Sequence, residues 1–427
     1  MDTYSRWYSD TLIQKAQDPY VHILFGARQT GKSTLLANIL PPDAVRINLA
    51  DPLERSRFSA NPGELGGICR SLPRRDGPWW VFIDEAQTVP SIFDAIQALY
   101  DSDSLRWRFM LCGSSARKLR SQGANLLPGR SIMHRLHPLT TAEYERDQEA
   151  WSMVPNIGTL WFPVGLPRKG REELVPVSQR LFPSRRLEDR LVFGDLPGIA
   201  IIEKESLKSD LLSTYATAYL EEEIRREIVL KDWGSFVRFL KFAARESGGI
   251  VNLSAISKEA GLSAPTIKNY YQLLEDMFIG FSVPAYSGSP RKSALSTPRF
   301  FFFDTGVKNA AASYPLRTDL VESIGGSLLE QWVGAELHRR LGYLDSGNLS
   351  YFRTKDGVEI DFIVEFGGSI IPIEVKWTDH PSLRDARHLE VFLKELGYKG
   401  AHGFIICRCP RPLALSDTIT ALPWFVM

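Results

Sequence analysis

Apolar runs at Val21 to Phe25, Val45 to Leu49, Trp79 to Ile83 and Phe109 to Cys112 are separated by stretches of helical periodicity, one of them near Ile92 to Tyr100. Short strands alternating with helices predict a doubly wound α/β sheet. The runs are largely apolar, as parallel strands buried on both faces are, and such a sheet presents its ligand at the carboxyl ends of its strands. Between Trp151 and Ser184 the rhythm breaks into a segment carrying Pro155, Pro163, Pro167, Pro176 and Pro183, which reads as a long connection or insertion.

Helical spacing returns between Asp210 and Arg245, where Leu211, Leu212, Tyr215, Tyr219, Leu220 and Ile224 predict a small helical lid. Leu253, Ile256 and Ala260 then form one helical face before Gly261. Ser263, Ala264 and Pro265 start a second helix bearing Ile267, Tyr270, Tyr271, Leu273 and Leu274, a helix-turn-helix pattern. Lys268 is the only basic residue between Ser263 and Met277, which favours a structural role over insertion into a DNA groove. After Pro298 a strand at Phe300 to Phe303, a helix at Leu328 to Leu341 and strands at Leu349 to Arg353, Glu359 to Val364 and Ile370 to Lys376 predict a second α/β domain.

A chain of 427 residues is long enough for two to four domains. Its 51 Lys and Arg against 50 Asp and Glu leave a net charge of +1, so any nucleic-acid contact must come from local patches. The four cysteines lack the paired spacing of a zinc site and read as reduced structural thiols. Without an apolar signal core near Met1 or a run of about 20 apolar residues, the expectation is a cytoplasmic protein with no membrane segment.

The densest chemistry lies between the first strand and the first long helix. Gly26, Ala27, Arg28, Gln29, Thr30, Gly31, Lys32, Ser33 and Thr34 spell a phosphate-binding loop. Its glycines let backbone amides wrap a phosphate at a helix start, Lys32 would reach the β and γ phosphates, and Ser33 would ligate Mg²⁺. The apolar strand from Trp79 ends in Asp84 and Glu85, placing a carboxylate for the metal shell and a base for the attacking water. Gly113 introduces Ser114 and Ser115, either of which could sense the γ phosphate. Arg117, Arg120 and Arg130 follow, and Arg130 is the first choice for an arginine delivered across a subunit boundary.

A second constellation lies near the carboxyl terminus. Strand alternation puts Glu359 and Asp361 on one face, and Glu374 and Lys376 on one face of the strand after a Gly-Gly turn. As a hairpin these strands gather Asp361, Glu374 and Lys376, two carboxylates for Mg²⁺ or Mn²⁺ and a lysine that could position water against a phosphodiester. Glu330 and Glu336 each sit one turn from Val333, and either could complete the set.

Together these residues resemble prokaryotic AAA-type ATPases whose carboxyl-terminal domain of unknown function is similar to PD-(D/E)XK nucleases. The resemblance is carried by Gly26 to Ser33, Phe82 to Gln87, Leu111 to Ser115, Pro138 to Glu143, Gly194-Asp195-Leu196-Pro197, Leu273 to Asp276, Phe303-Asp304-Thr305-Gly306, Gly326 to Glu330, Glu359 to Phe362 and Pro372 to Lys376. It favours Glu330 over Glu336. It implies a P-loop core over residues 1–150, a helical lid at 191–248, a winged-helix module at 249–297 and a nuclease-like α/β domain at 298–427, while the proline-rich connection at 151–190 departs from the family's pattern and its role does not carry over. It also implies ATP and Mg²⁺, a homo-oligomeric, hexameric ring, and work on DNA in repair or on branched DNA. Cleavage does not follow from the motif alone, and a nucleotide-dependent switch with protein-binding modules is the alternative.

Overall fold

The computed structural model describes residues 4–114, 127–145, 180–227, 233–286, 297–354, 356–396 and 402–427. Ser115, Arg117, Arg120 and most of the expected proline-rich connection lie outside the described residues. The chain forms two compact units, residues 1–137 with 174–180 and 276–278, and residues 138–173, 181–275 and 279–427.

In the first unit, β1 (Val21–Phe25), β2 (Val45–Asn48), β3 (Trp79–Asp84), β4 (Trp107–Gly113) and β5 (Ser131–Arg135) form a parallel sheet in the order β2-β3-β4-β1-β5. The central β1 and β4 are buried at every position, which is why they read as largely apolar runs, interrupted only by His22 and Arg108. Edge strand β5 escapes the apolar pattern for the opposite reason. Only His134 among its residues is buried, and Met133 is exposed. Val81, Ile83, Phe109 and Leu111 pack with Phe58, Ile92, Phe93 and Ile96 to form the core.

The second unit holds a six-stranded mixed sheet, built from β8 (Asn348–Arg353), β9 (Glu359–Phe366), β10 (Ser369–Val375), β11 (Gly403–Cys407), β12 (Leu413–Ser416) and β13 (Ile419–Pro423), in the order β12-β13-β11-β10-β9-β8. Its numbering leaves β6 (Gly280–Val283) and β7 (Arg299–Phe302) to a separate antiparallel pair. Gly367 and Gly368, both at positive φ, make the two-residue turn between β9 and β10. The long helix Leu320–Leu344 packs closely through Gly334, where a Cβ would come within 3.0 Å of the Phe301 and Phe362 rings.

The region expected as a lid is helical at Glu205–Thr214, Leu220–Glu227 and Trp233–Arg245, with a π-helical turn at Tyr215–Tyr219. The helix pair Leu253–Ala260 and Ala264–Asp276 turns through left-handed Gly261. Its second helix buries Ile267, Tyr270, Tyr271, Leu273 and Leu274, with Tyr270 against Phe236 and Tyr271 against Phe239.

The main stretch of the first compact unit ends at residue 137, and residues 191–248, 249–297 and 298–427 fall almost entirely in the second, with 276–278 in the first. A buried polar network explains why they cohere. Asp195 accepts hydrogen bonds from Tyr144 Oη at 2.9 Å, Arg190 Nε at 2.8 Å, Trp332 Nε1 at 3.0 Å and Arg339 at 3.1 Å. Its own backbone N–H donates to Asp304, and Arg339 also donates to the carbonyls of Leu139 and Phe303. Desolvation opposes the Asp195 charge, but Arg190 and Arg339 outweigh it and hold the carboxyl well below its usual range. Gly306 meets Phe193 so closely that a Cβ would lie 2.2 Å from its carbonyl oxygen. Gly194 to Pro197 and Phe303 to Gly306, distant in sequence, are two halves of one docking joint.

Candidate functional site

The phosphate loop follows β1 and ends where Gly31, left-handed at φ 89°, starts the helix Lys32–Ile39. A side chain at Gly26 would place its Cβ 2.3 Å from the Leu136 carbonyl oxygen, so the loop can lie against β5 only with glycine there. Thr30 Oγ1 donates to the Ala27 carbonyl at 2.9 Å, and the Lys32 ammonium donates to the carbonyls of Gly26 and Ala27 at 2.9 Å each. Arg28 is half-buried and Gln29 exposed in a left-handed conformation. Arg6, buried, donates to the Thr30 carbonyl at 2.5 Å and to the His137 carbonyl at 2.7 Å, clamping the loop from outside.

Parallel pairing brings the carboxyl ends of β1, β3 and β4 together. Ser33 Oγ lies 4.0 Å from the Cys112 thiol, which donates to Asp84 Oδ1, so the two residues assigned to Mg²⁺ border one sulfur. A hydroxyl and a carboxylate are hard oxygen donors suited to that ion. Burial, then the Asp84 charge, pushes the Cys112 thiol well above its ordinary pKa, keeping it a neutral donor. Gln87 Nε2 donates to the Glu85 carboxylate and, at 3.2 Å, to Ser114 Oγ. The expected base and the expected sensor are therefore joined through Gln87, which lies in the segment carrying the resemblance but to which the sequence alone gives no role.

Arg130 lies elsewhere. Its carbonyl accepts from the Val21 N–H at the start of β1, about 13 Å along the strand from the phosphate loop, and its Nε pairs with exposed Asp101 at 2.6 Å. Within one chain it cannot serve the loop. Arg135, at the loop end of β5, instead lies 4.7 Å from the Phe278 ring centre.

In the second unit, β9 and β10 bring Asp361, Glu374 and Lys376 together. Asp361 accepts from the Val375 N–H at 2.8 Å, and Lys376 Nζ donates to Glu374 at 2.7 Å. Glu330 joins them from the long helix. Glu336 does not: it accepts from Arg340 at 2.6 Å and from the Thr141 N–H at 3.0 Å. Six residues turn a helix through about 240° beyond one full turn, so the two glutamates cannot share a face.

Arg299, from the first position of β7, enters this cluster without notice in the sequence. It pairs with Glu330 at 2.6 Å and with Glu359, and stands 3.9 Å from Asp361. Desolvation and then the Asp361 charge push Glu330 up to about 8 and Glu374 up to about 7. Among the described residues no group of three or more His, Cys, Asp or Glu side chains is disposed to hold a metal ion. The carboxylates as arranged do not fit the divalent ion expected for them, because an arginine stands among them.

Strand order and loop geometry define a P-loop nucleotide-binding unit. Residues 18–145 match the family model of an AAA domain, and are an AAA-type P-loop ATPase domain. Residues 184–318 and 325–426 match two domains of unknown function, DUF8612 and DUF4143. An uncharacterized protein of Mycobacterium tuberculosis is 24% identical over 417 residues, covering 94% of this chain and 80% of that protein. One of Haemophilus influenzae is 24% identical over 395 residues, covering 86% and 85%. The crystal structure of a DNA polymerase III gamma subunit-related protein from Thermotoga maritima aligns with 63% of this chain and 97% of its own at 14% identity and a TM-score of 0.23. No helix among the described residues is long and apolar enough to cross a membrane.

Proposed function

We propose that this chain hydrolyses ATP with Mg²⁺ and uses the energy in DNA processing as a homo-oligomeric ring. The observation that carries the ATPase reading is the convergence of Lys32, Ser33, Asp84 and Glu85 at one end of the sheet. The loop amides and Lys32 would bind the triphosphate, and Ser33 and Asp84 would hold Mg²⁺, which supplies charge neutralisation at the β and γ oxygens. Glu85 would orient and deprotonate the attacking water, with Gln87 fixing its carboxylate against Ser114. Arg130 would act only in a neighbouring subunit's site.

The DNA half of the reading is supported by the helix-turn-helix pair and the nuclease-like motif order. ATP turnover measured with single-stranded, duplex and four-way DNA, with oligomer mass in the same buffers, tests it. Turnover indifferent to every DNA, with no DNA binding at low salt, overturns it.

One observation favours a second reading, a nucleotide-dependent switch with protein-binding modules. The helix that would read DNA commits its apolar side chains to packing, and Arg299 occupies the carboxylate cluster. A change of mass with nucleotide, at slow turnover unaffected by DNA, would support it.

A further inference from the structure

We infer that Arg299 is itself the cation of the carboxyl-terminal cluster, taking the charge-balancing role that a divalent ion would otherwise fill. Four carboxylates, Glu330, Glu359, Asp361 and Glu374, face Arg299 and Lys376 within the cluster, with half-exposed Arg353 reaching Glu359 from its edge at 4.0 Å. The Arg299 guanidinium reaches three of the four: Glu330 at 2.6 Å, Glu359, and Asp361 at 3.9 Å. It comes from a buried residue, 5% exposed, lying over the Tyr351 ring at 4.9 Å. This is a built position rather than a surface arm that drifted inward.

Glu374 is the one carboxylate of the four that the guanidinium does not pair with. Its Oε1 takes the Lys376 ammonium, while Oε2 is buried and without a hydrogen-bond partner. An unpartnered carboxylate oxygen in a buried site is costly unless a positive group stands near it. A divalent ion drawn to Asp361 and Glu374 would sit beside a fixed guanidinium and be repelled by it. While Arg299 is in place, the cluster therefore does not take Mg²⁺ or Mn²⁺, and removing the arginine charge makes it a divalent-cation site.

The test is Mn²⁺ titration of the full chain by electron paramagnetic resonance, without nucleotide. Every arm carries Asp84→Asn, so that the phosphate-loop site contributes no ion. The parent should bind no Mn²⁺ that Asp361→Asn removes. Arg299→Met should gain one equivalent, with a Kd on the order of 10⁻⁴–10⁻³ M, the weak end of the range for oxygen-ligand divalent-cation sites, and adding Asp361→Asn should abolish it. Arg299→Lys keeps the charge and should bind none.

Parent binding lost on Asp361→Asn overturns the inference, as does Mn²⁺ binding by Arg299→Lys. It is also overturned if Arg299→Met melts cooperatively but gains no equivalent. Should Arg299→Met not fold, the parent and the lysine variant still decide the matter. The inference does not depend on the ATPase reading, and its failure would leave that reading untouched.

Discussion

Arg6 touches the phosphate loop through a carbonyl, where no phosphate could compete for it. Lys32 has the opposite standing, because its ammonium rests on carbonyls that a γ phosphate would replace as partner. Lys32→Ala should therefore abolish nucleotide binding in an equilibrium titration. Glu85→Gln should retain binding and lose turnover by about 10²–10⁴, the usual contribution of a positioned base; equal turnover in variant and parent would remove Glu85 from that role. The contiguous motif made Lys32, Ser33, Asp84 and Glu85 legible, since each is fixed by its place after an apolar strand. Arg6, Gln87, Cys112 and Arg299 were not legible, because each acts through a partner distant in sequence or, for Gln87, through a fold-dependent bridge to Ser114. Periodicity could not separate Glu330 from Glu336, as both lie one turn from the same valine; the resemblance favoured Glu330, and the packing of the long helix turns Glu336 to Arg340 and Thr141 instead.

Elements meet in this protein through groups that burial makes sensitive. Strands β1 and β5 are joined by a hydrogen bond between His22 Nδ1 and His134 Nε2 at 2.9 Å, and Tyr8 Oη lies 2.8 Å from His134 Nδ1. Desolvation, then His22 and Lys15, lowers His134 from 6.5 to about 3, and desolvation lowers His22. His134 stays neutral in the fold, and His22 resists protonation, while the unfolded chain takes up protons below about pH 6.5. Stability should thus fall as pH drops through that value, by at most about 1.4 kcal/mol per pH unit for each histidine. Melting temperatures from pH 7 to 5 should show the slope, and His134→Gln should flatten it. Docking of the helix Thr305–Ala311 against Phe193 gives a second expectation. Gly306→Ala should cost about 1–3 kcal/mol by crowding a backbone carbonyl, measured by urea denaturation. Gly198→Ala, which meets nothing within 4 Å, should change stability by less than about 0.5 kcal/mol. The central strands announced themselves by apolar runs, whereas β5, exposed at an edge, carried too few apolar positions to be seen.

At the scale of the whole molecule, two compact units predict two thermal transitions in calorimetry. ATP with Mg²⁺ should raise the transition of the unit bearing the phosphate loop, by about 2.7 kcal/mol at a hundredfold excess over Kd, and Lys32→Ala should erase that gain. Asp195→Ala should act on the other transition. It leaves Arg190 and Arg339 buried without their shared carboxylate, at a cost of about 3–5 kcal/mol. The sequence indicated both α/β regions, because the central strands of each carry their own apolar signal. The joint that gathers the second unit was not legible, because it is assembled from residues up to 200 positions apart, as in the Arg339 bond to the Leu139 carbonyl.

That joint also limits how the protein can be cut and recombined. Tyr144, Arg190, Asp195, Asp304, Trp332 and Arg339 come from four separated stretches, yet none can be satisfied alone. A chimera that exchanges the carboxyl-terminal sheet and its long helix with a relative, but keeps the stretch around Asp195, would mate one half of a lock with another key. Modules of this chain are therefore transplantable from residue 138 onward as a whole, and not piecewise.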